Sequence, residues 1–115
     1  MKDVISRRAI TIQQPFVEEI LFGLKKYEYR SRPTKILDKV YLYASPRPRE
    51  LSRCKKRGYK LGDIPSGFIL GSIEISECKY FNKYKCYGYK STNPKKYKKL
   101  IKPKNQPQPY WFFHW

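Results

Sequence analysis

The sequence predicts an α+β domain, a small and strongly bent sheet or pseudo-β-barrel of about five to six strands with one or two helices. Three observations lead there. Short runs of β-forming residues recur from Arg8 to Trp115. One segment, Phe16 to Phe22, has helical periodicity and follows directly on the first of them. Strand, helix, then several strands is the order of an α+β architecture rather than of alternating βα units. The 115 residues match the usual size of one domain, so residues 1–115 are expected to form a single core. With 40% hydrophobic and 17% aromatic residues, the chain has enough apolar side chain to offset the entropy of ordering it.

The first strand is Arg8 to Ile12 (RAITI), followed by Gln13, Gln14 and Pro15 as a break and helix start. In the helix, Phe16, Val17, Ile20 and Leu21 recur at helical spacing. Glu18 and Glu19 put negative charge in its first turn, where the helix dipole favours it, and Gly23 is the expected stop. Lys26 to Arg30 (KYEYR) alternates charged and aromatic residues, the period of a strand with one packed and one polar face. Lys26, Glu28 and Arg30 should therefore point the same way. After a loop from Ser31 to Asp38 comes Lys39 to Ala44 (KVYLYA), a further strand, which the proline-rich Ser45 to Arg49 ends. Glu50 to Leu61 reads as a short basic helix. Phe68 to Ile75 (FILGSIEI) is apolar enough for a strand buried on both faces, with Gly71 at a bulge or close approach. Cys78 to Lys104 has little clear period, and Lys95 to Pro109 is expected to be a mobile basic segment. Tyr110 to Trp115 (YWFFHW) is aromatic enough to pack on the core as a terminal strand.

Lys and Arg number 26 against nine Asp and Glu, a formal net charge of +17 whose self-repulsion calls for a polyanionic partner. The imbalance is concentrated after Glu77, the last acid, because Cys78 to Trp115 holds ten Lys and neither Asp nor Glu. In that half Tyr and Lys interleave. Lys79, Lys83, Lys85, Lys90, Lys95, Lys96, Lys98 and Lys99 would meet phosphates, and Tyr84, Tyr87 and Tyr89 would offer faces for unpaired bases, the composition of single-strand RNA contacts. The same tyrosines equally suit covering a core.

Several classes are excluded. Cys54, Cys78 and Cys86 form an odd set at spacings unlike a disulfide framework or a zinc site. His114 is the single histidine and reads as a packed strand residue, so no metal and no cofactor is expected. The first eight residues are polar and charged, and no segment has the length to span a bilayer. A cytoplasmic monomer with no membrane partner is the expectation.

A series of motifs resembles the ASCH domain, a family of the PUA-like superfamily. They are IQQP at the end of the first strand (Gln14, Pro15), a helix stopped at Gly23, GLKKYEYRS with Lys25, Glu28, Arg30 and Ser31, a strand closing on Tyr43, Ala44 and Ser45, and then Gly67, Gly71 and Glu74. The resemblance covers residues 8–45 and 67–78 closely. It implies a PUA-like barrel with a cleft beside the first helix, in a superfamily that mostly binds RNA or modified bases. It also attaches two activities, removal of the acetyl group from N4-acetylcytidine and ribonuclease action. The deacetylating members carry Thr three residues after the motif Lys, where this chain has Glu28, and a further acid in a region where it has none.

The resemblance singles out Gln14, Lys25, Glu28, Arg30, Ser31, Tyr43 and Ser45 for RNA or nucleotide binding, and the charged neighbours Lys26 and Arg32 join them from the residues themselves, with Lys25 and Glu28 as the candidates for any catalysis. Read from the residues, Lys25 beside Glu28 suits a base or a phosphate clamp, or a solvated turn lysine. Glu28 between two cations suits either orienting Arg30 and accepting a base's exocyclic amine, or a structural ion pair. Arg30 and Arg32 flank Ser31 in a loop suited to bidentate phosphate contacts. The leading expectation is an RNA-binding module seating a base in a cleft framed by Gln14, Lys25, Glu28 and Arg30. The alternative is an enzyme acting on RNA or a modified nucleoside.

Overall fold

The structure, a computed structural model, describes residues 8–46, 58, 64–104 and 111–112. Most of the expected basic helix Glu50–Leu61 lies outside these residues, as do Cys54, Tyr110 and the tail from Phe113, His114 included. The elements are β1 (Ala9–Ile12), α1 (Phe16–Leu21), β2 (Tyr27–Arg30), β3 (Lys39–Ala44), β4 (Ile69–Phe81), β5 (Cys86–Ile101) and β6 (Trp111–Phe112).

β4 and β5 are longer than their sequence suggests, 13 and 16 residues joined by a tight turn in which Lys85 has a φ of 51°. The segment expected to be mobile from Lys95 supplies Lys95 to Ile101 to β5. The two strands do different work at their two ends. The base of β4 pairs with β3, Lys39 to Tyr43 against Glu74 to Ile69, while β5 near the turn pairs with β2, Tyr27 to Arg30 against Lys90 to Tyr87. Three register shifts lie between β4 and β5, and bulges of this kind increase bend and twist. Gly71 sits at one of them, where a Cβ would stand 2.2 Å from the Lys95 carbonyl oxygen. The close approach expected there is therefore made by backbone on backbone.

β1 lies parallel to β3 and carries β6 on its other side, giving the order β2-β5-β4-β3-β1-β6. The expected pseudo-barrel is corrected in one respect: the sheet is open, with no backbone ladder joining β2 to β1 or β6 among the described residues. The core lies between the sheet's inner face and α1, built from Ile10, Ile12, Val17, Ile20, Leu42, Leu70, Ile73 and Ile75. α1 ends as the sequence predicts. Gly23, at φ +78°, donates to Ile20 O and Leu24 donates to Glu19 O, the paired bonds that close a helix through a left-handed residue. Lys25 N also reaches Glu19 O, at 3.1 Å, so the chain leaves the helix on a fixed course into β2.

Candidate nucleotide-binding cleft

The open seam of the sheet is also its cleft. Along β1 the carbonyls of Arg8 and Ile12 accept bonds from Tyr41 and Ser45 on the β3 side, so the alternation of a strand turns the Thr11 carbonyl the other way. The described part of β6 pairs with Ala9 and Ile10. The Thr11 carbonyl is met by Arg30 of β2, whose Nη2 donates to Thr11 O at 2.6 Å. One guanidinium thus bridges two edges that no ladder joins. Around this bridge lies an open cleft of about 330 Å³ lined by Thr11, Ile12, Gln13, Phe16, Glu28, Arg30 and Ser45.

β2 turns its charged face inward, which reverses the packing that its aromatic residues suggest. Glu28 is only 8% exposed, whereas Tyr29 is 38% exposed on the outer face. The inward charge is compensated. Arg30 Nε donates to Glu28 Oε2 at 2.8 Å, and Lys25 Nζ lies 3.4 Å from Glu28 Oε1 and donates to the Tyr27 carbonyl. The Lys25 ammonium also sits over two rings, 5.4 Å from the centre of Phe16 and 4.9 Å from that of Tyr29. Glu28 and two cations form one mostly buried cluster, with Arg30 on the cleft side and Lys25 on the side of the rings. Arg30 has five N–H donors, and while its Nε and Nη2 donate to Glu28 and Thr11 the residue also lines the cleft.

The predicted site residues separate. Glu28, Arg30 and Ser45 line the cleft, and Lys25 stands behind Glu28. Lys26 is exposed, and its carbonyl accepts from Ser91 N. Ser31 and Arg32 are exposed on the loop that follows β2. Gln14 does not face the cleft: it is 0% exposed, its Nε2 donates to Pro65 O and its Oε1 accepts from Glu18 N, so it holds the helix start to the segment before β4. Tyr43 is buried against Ala9 and Ile69, and that burial pushes its phenol above the ordinary 10.0. Sequence reasoning missed Thr11, Ile12, Gln13 and Phe16. Gln13 and Phe16 flank the QP pair that was singled out, so the sequence signal lay beside the residues that line the cleft.

The Lys/Tyr half also divides. Tyr89 is core, its hydroxyl donating to Arg32 O at 2.7 Å; this removes it from the predicted surface. Tyr87 is partly buried and packs on Tyr80. Tyr84, Lys79, Lys83, Lys85, Lys90, Lys95, Lys96, Lys98 and Lys99 are exposed, with Lys96 paired to the buried Glu18 at 2.8 Å. On the outer face of β2, burial and then the neighbouring Tyr84, Cys86 and Tyr27 raise the Tyr29 phenol above its usual value. No group of His, Cys, Asp and Glu suited to holding a metal occurs among the described residues, and no helix among them is long and apolar enough to cross a membrane.

The ASCH domain matches residues 10–109 of this chain. Two solved structures share its fold. A serine-to-alanine mutant of the ASCH protein from Zymomonas mobilis superposes with a TM-score of 0.65 at 10% identity, covering 96% of this chain and 89% of that one. The ASCH protein from the same organism gives 0.64 at 10% identity, with 95% and 87% covered. No curated protein matches the sequence.

Proposed function

The chain belongs to the ASCH domain family, a family generally linked to RNA binding, and on that premise we propose that it binds RNA and seats one base in the seam between β1 and β2. The observation that carries this reading is the Arg30 bridge. It holds a guanidinium and a buried carboxylate beside a cleft that Phe16 also lines. The cleft volume falls within the range of small-ligand sites. Its groups match what an unpaired base offers: a ring to stack on, donors for a carbonyl or ring nitrogen, and an acid for an exocyclic amine. The exposed lysines of β5 supply attraction for the phosphates. The protein is read as a cytoplasmic monomer, one domain whose ligand is nucleic acid.

Titration of a fluorescent single-stranded RNA at increasing salt tests it. Affinity falls steeply with salt as phosphate counterions are released. Phe16→Leu, which keeps an apolar group but removes the ring, weakens binding by roughly tenfold, the loss of about one stacked base, with the salt slope unchanged. Absence of binding, or binding indifferent to salt, refutes the proposal. Turnover of N4-acetylcytidine or of RNA that is lost in Lys25→Ala while binding persists replaces it with the enzymatic reading, for which the contact of Lys25 with Glu28 is the relevant observation.

A further inference from the structure

Outside the cleft, the other face of β2 carries a cluster of rings. Tyr27 and Tyr29 point outward and meet Phe81, at the end of β4, and Tyr84, in the β4–β5 turn, at centre-to-centre distances of 5.0 to 5.6 Å. The cluster has two layers. Tyr27 and Phe81 close over Gly88, where a Cβ would stand 2.4 Å from a Phe81 ring carbon, so these two rings fill space that a side chain on β5 would take. Tyr29 and Tyr84 cover little more, at 38% and 53% exposed. Lysines surround them: Lys79 lies 5.0 Å from the Phe81 centre and Lys83 lies 5.6 Å from that of Tyr84. Glu77, across from Lys90, is the acid on this face, and none follows it on the turn or on β5.

This face adjoins the cleft. Lys25 Nζ lies over Phe16, a cleft wall, and over Tyr29, so the two ring centres are within about 10 Å of each other. Neighbouring nucleotides of one strand span such a gap. Among the described residues β2 is an edge strand, so no described strand lies between its outer face and the seam.

We propose that this aromatic and lysine face is a second nucleotide subsite, where unpaired bases flanking the one in the cleft stack on Tyr29 and Tyr84 while Lys79 and Lys83 meet their phosphates. It rests on the reading of the seam as a base-seating cleft. The ligand class is single-stranded RNA, because a duplex hides the base faces that the rings would cover.

The test compares an unstructured oligouridylate, an RNA duplex and free uridine monophosphate. Tyr84→Ala and Tyr29→Ala each weaken the oligouridylate by roughly tenfold, and Tyr84→Trp restores it. Tyr80→Ala, on the opposite face of the hairpin and equally exposed, leaves affinity unchanged. Uridine monophosphate still perturbs the amide resonances of Thr11, Ile12, Gln13 and Phe16 in every variant. Oligouridylate affinity unaffected in both Tyr84→Ala and Tyr29→Ala, with the fold shown intact by unchanged melting, overturns the subsite and leaves the cleft. Equal losses for the duplex, or for Tyr80→Ala, also overturn it. Loss in Tyr84→Ala while the monophosphate perturbs no cleft resonance keeps the outer face and removes the cleft reading instead.

Discussion

Replacing Glu28 by Gln tests whether the buried carboxylate holds the seam together. Glu28 accepts one short charge-assisted bond from Arg30 and faces Lys25, and all three side chains are mostly buried. Gln keeps the shape and one acceptor oxygen, but its amide turns N–H donors towards one of the two cations. Removing one partner of a buried pair costs about 3–5 kcal/mol, and a retained neutral hydrogen bond returns about 1 kcal/mol. The difference is about 2–4 kcal/mol, and the partial exposure of the cations brings the expected loss to its lower half, roughly 2–3 kcal/mol. At about 4 °C per kcal/mol for a domain near this size, melting should fall by roughly 10 °C. Urea denaturation gives the same quantity independently, and a cycle with Arg30→Gln isolates the pair as a coupling of about 1 kcal/mol or more. The reasoning is refuted if Glu28→Gln lies within about 0.5 kcal/mol of the parent, for then Arg30 finds its position without the acid.

Two further predictions address the scaffold. Gly71→Ala puts a methyl between the Lys95 backbone carbonyl and Leu21 Cδ2 at the bulge, and the backbone carbonyl cannot yield as a side chain can, so a loss of about 3 kcal/mol is expected in thermal or urea unfolding; an unchanged midpoint would show that the two strands separate easily there. Tyr43 carries a phenol raised above 10.0 by burial, so its contribution to stability is present below that pH and is lost as pH rises through the folded value. The stability gap between the parent and Tyr43→Phe, followed by urea unfolding from neutral to strongly alkaline pH, should shrink above about pH 10. A gap that widens instead means the folded protein stabilises the phenolate.

Residues that act locally were legible in the sequence. The helix and its stop at Gly23 follow from spacing and from the left-handed conformation glycine accepts, both properties of a few consecutive residues. Gly71 was marked as a close approach because a glycine inside a buried apolar strand has few other uses. The surplus of charge, and its concentration after Glu77, needed only counting.

What the chain order could not decide depends on contacts made at a distance. Alternation in KYEYR fixes that Glu28 and Arg30 share a face, but a period of two does not say which face is covered. The answer came from β1, whose Thr11 carbonyl, 19 residues earlier, accepts from Arg30. The length of β4 and β5 was hidden for a related reason. Near the turn the hairpin runs past the core with both faces partly wet, so the apolar alternation that reveals a strand is absent where β2 and the partner strand supply the hydrogen bonds. Gln14 was named as a cleft residue, and only the folded chain shows its amide bonded to Pro65 and Glu18. Sequence alone determined the helix and the strands before Ile75, the charge and the family resemblance. Tertiary structure decided that the sheet stays open at one seam and that a single arginine spans it, because the bond needs two edges that the sequence keeps apart.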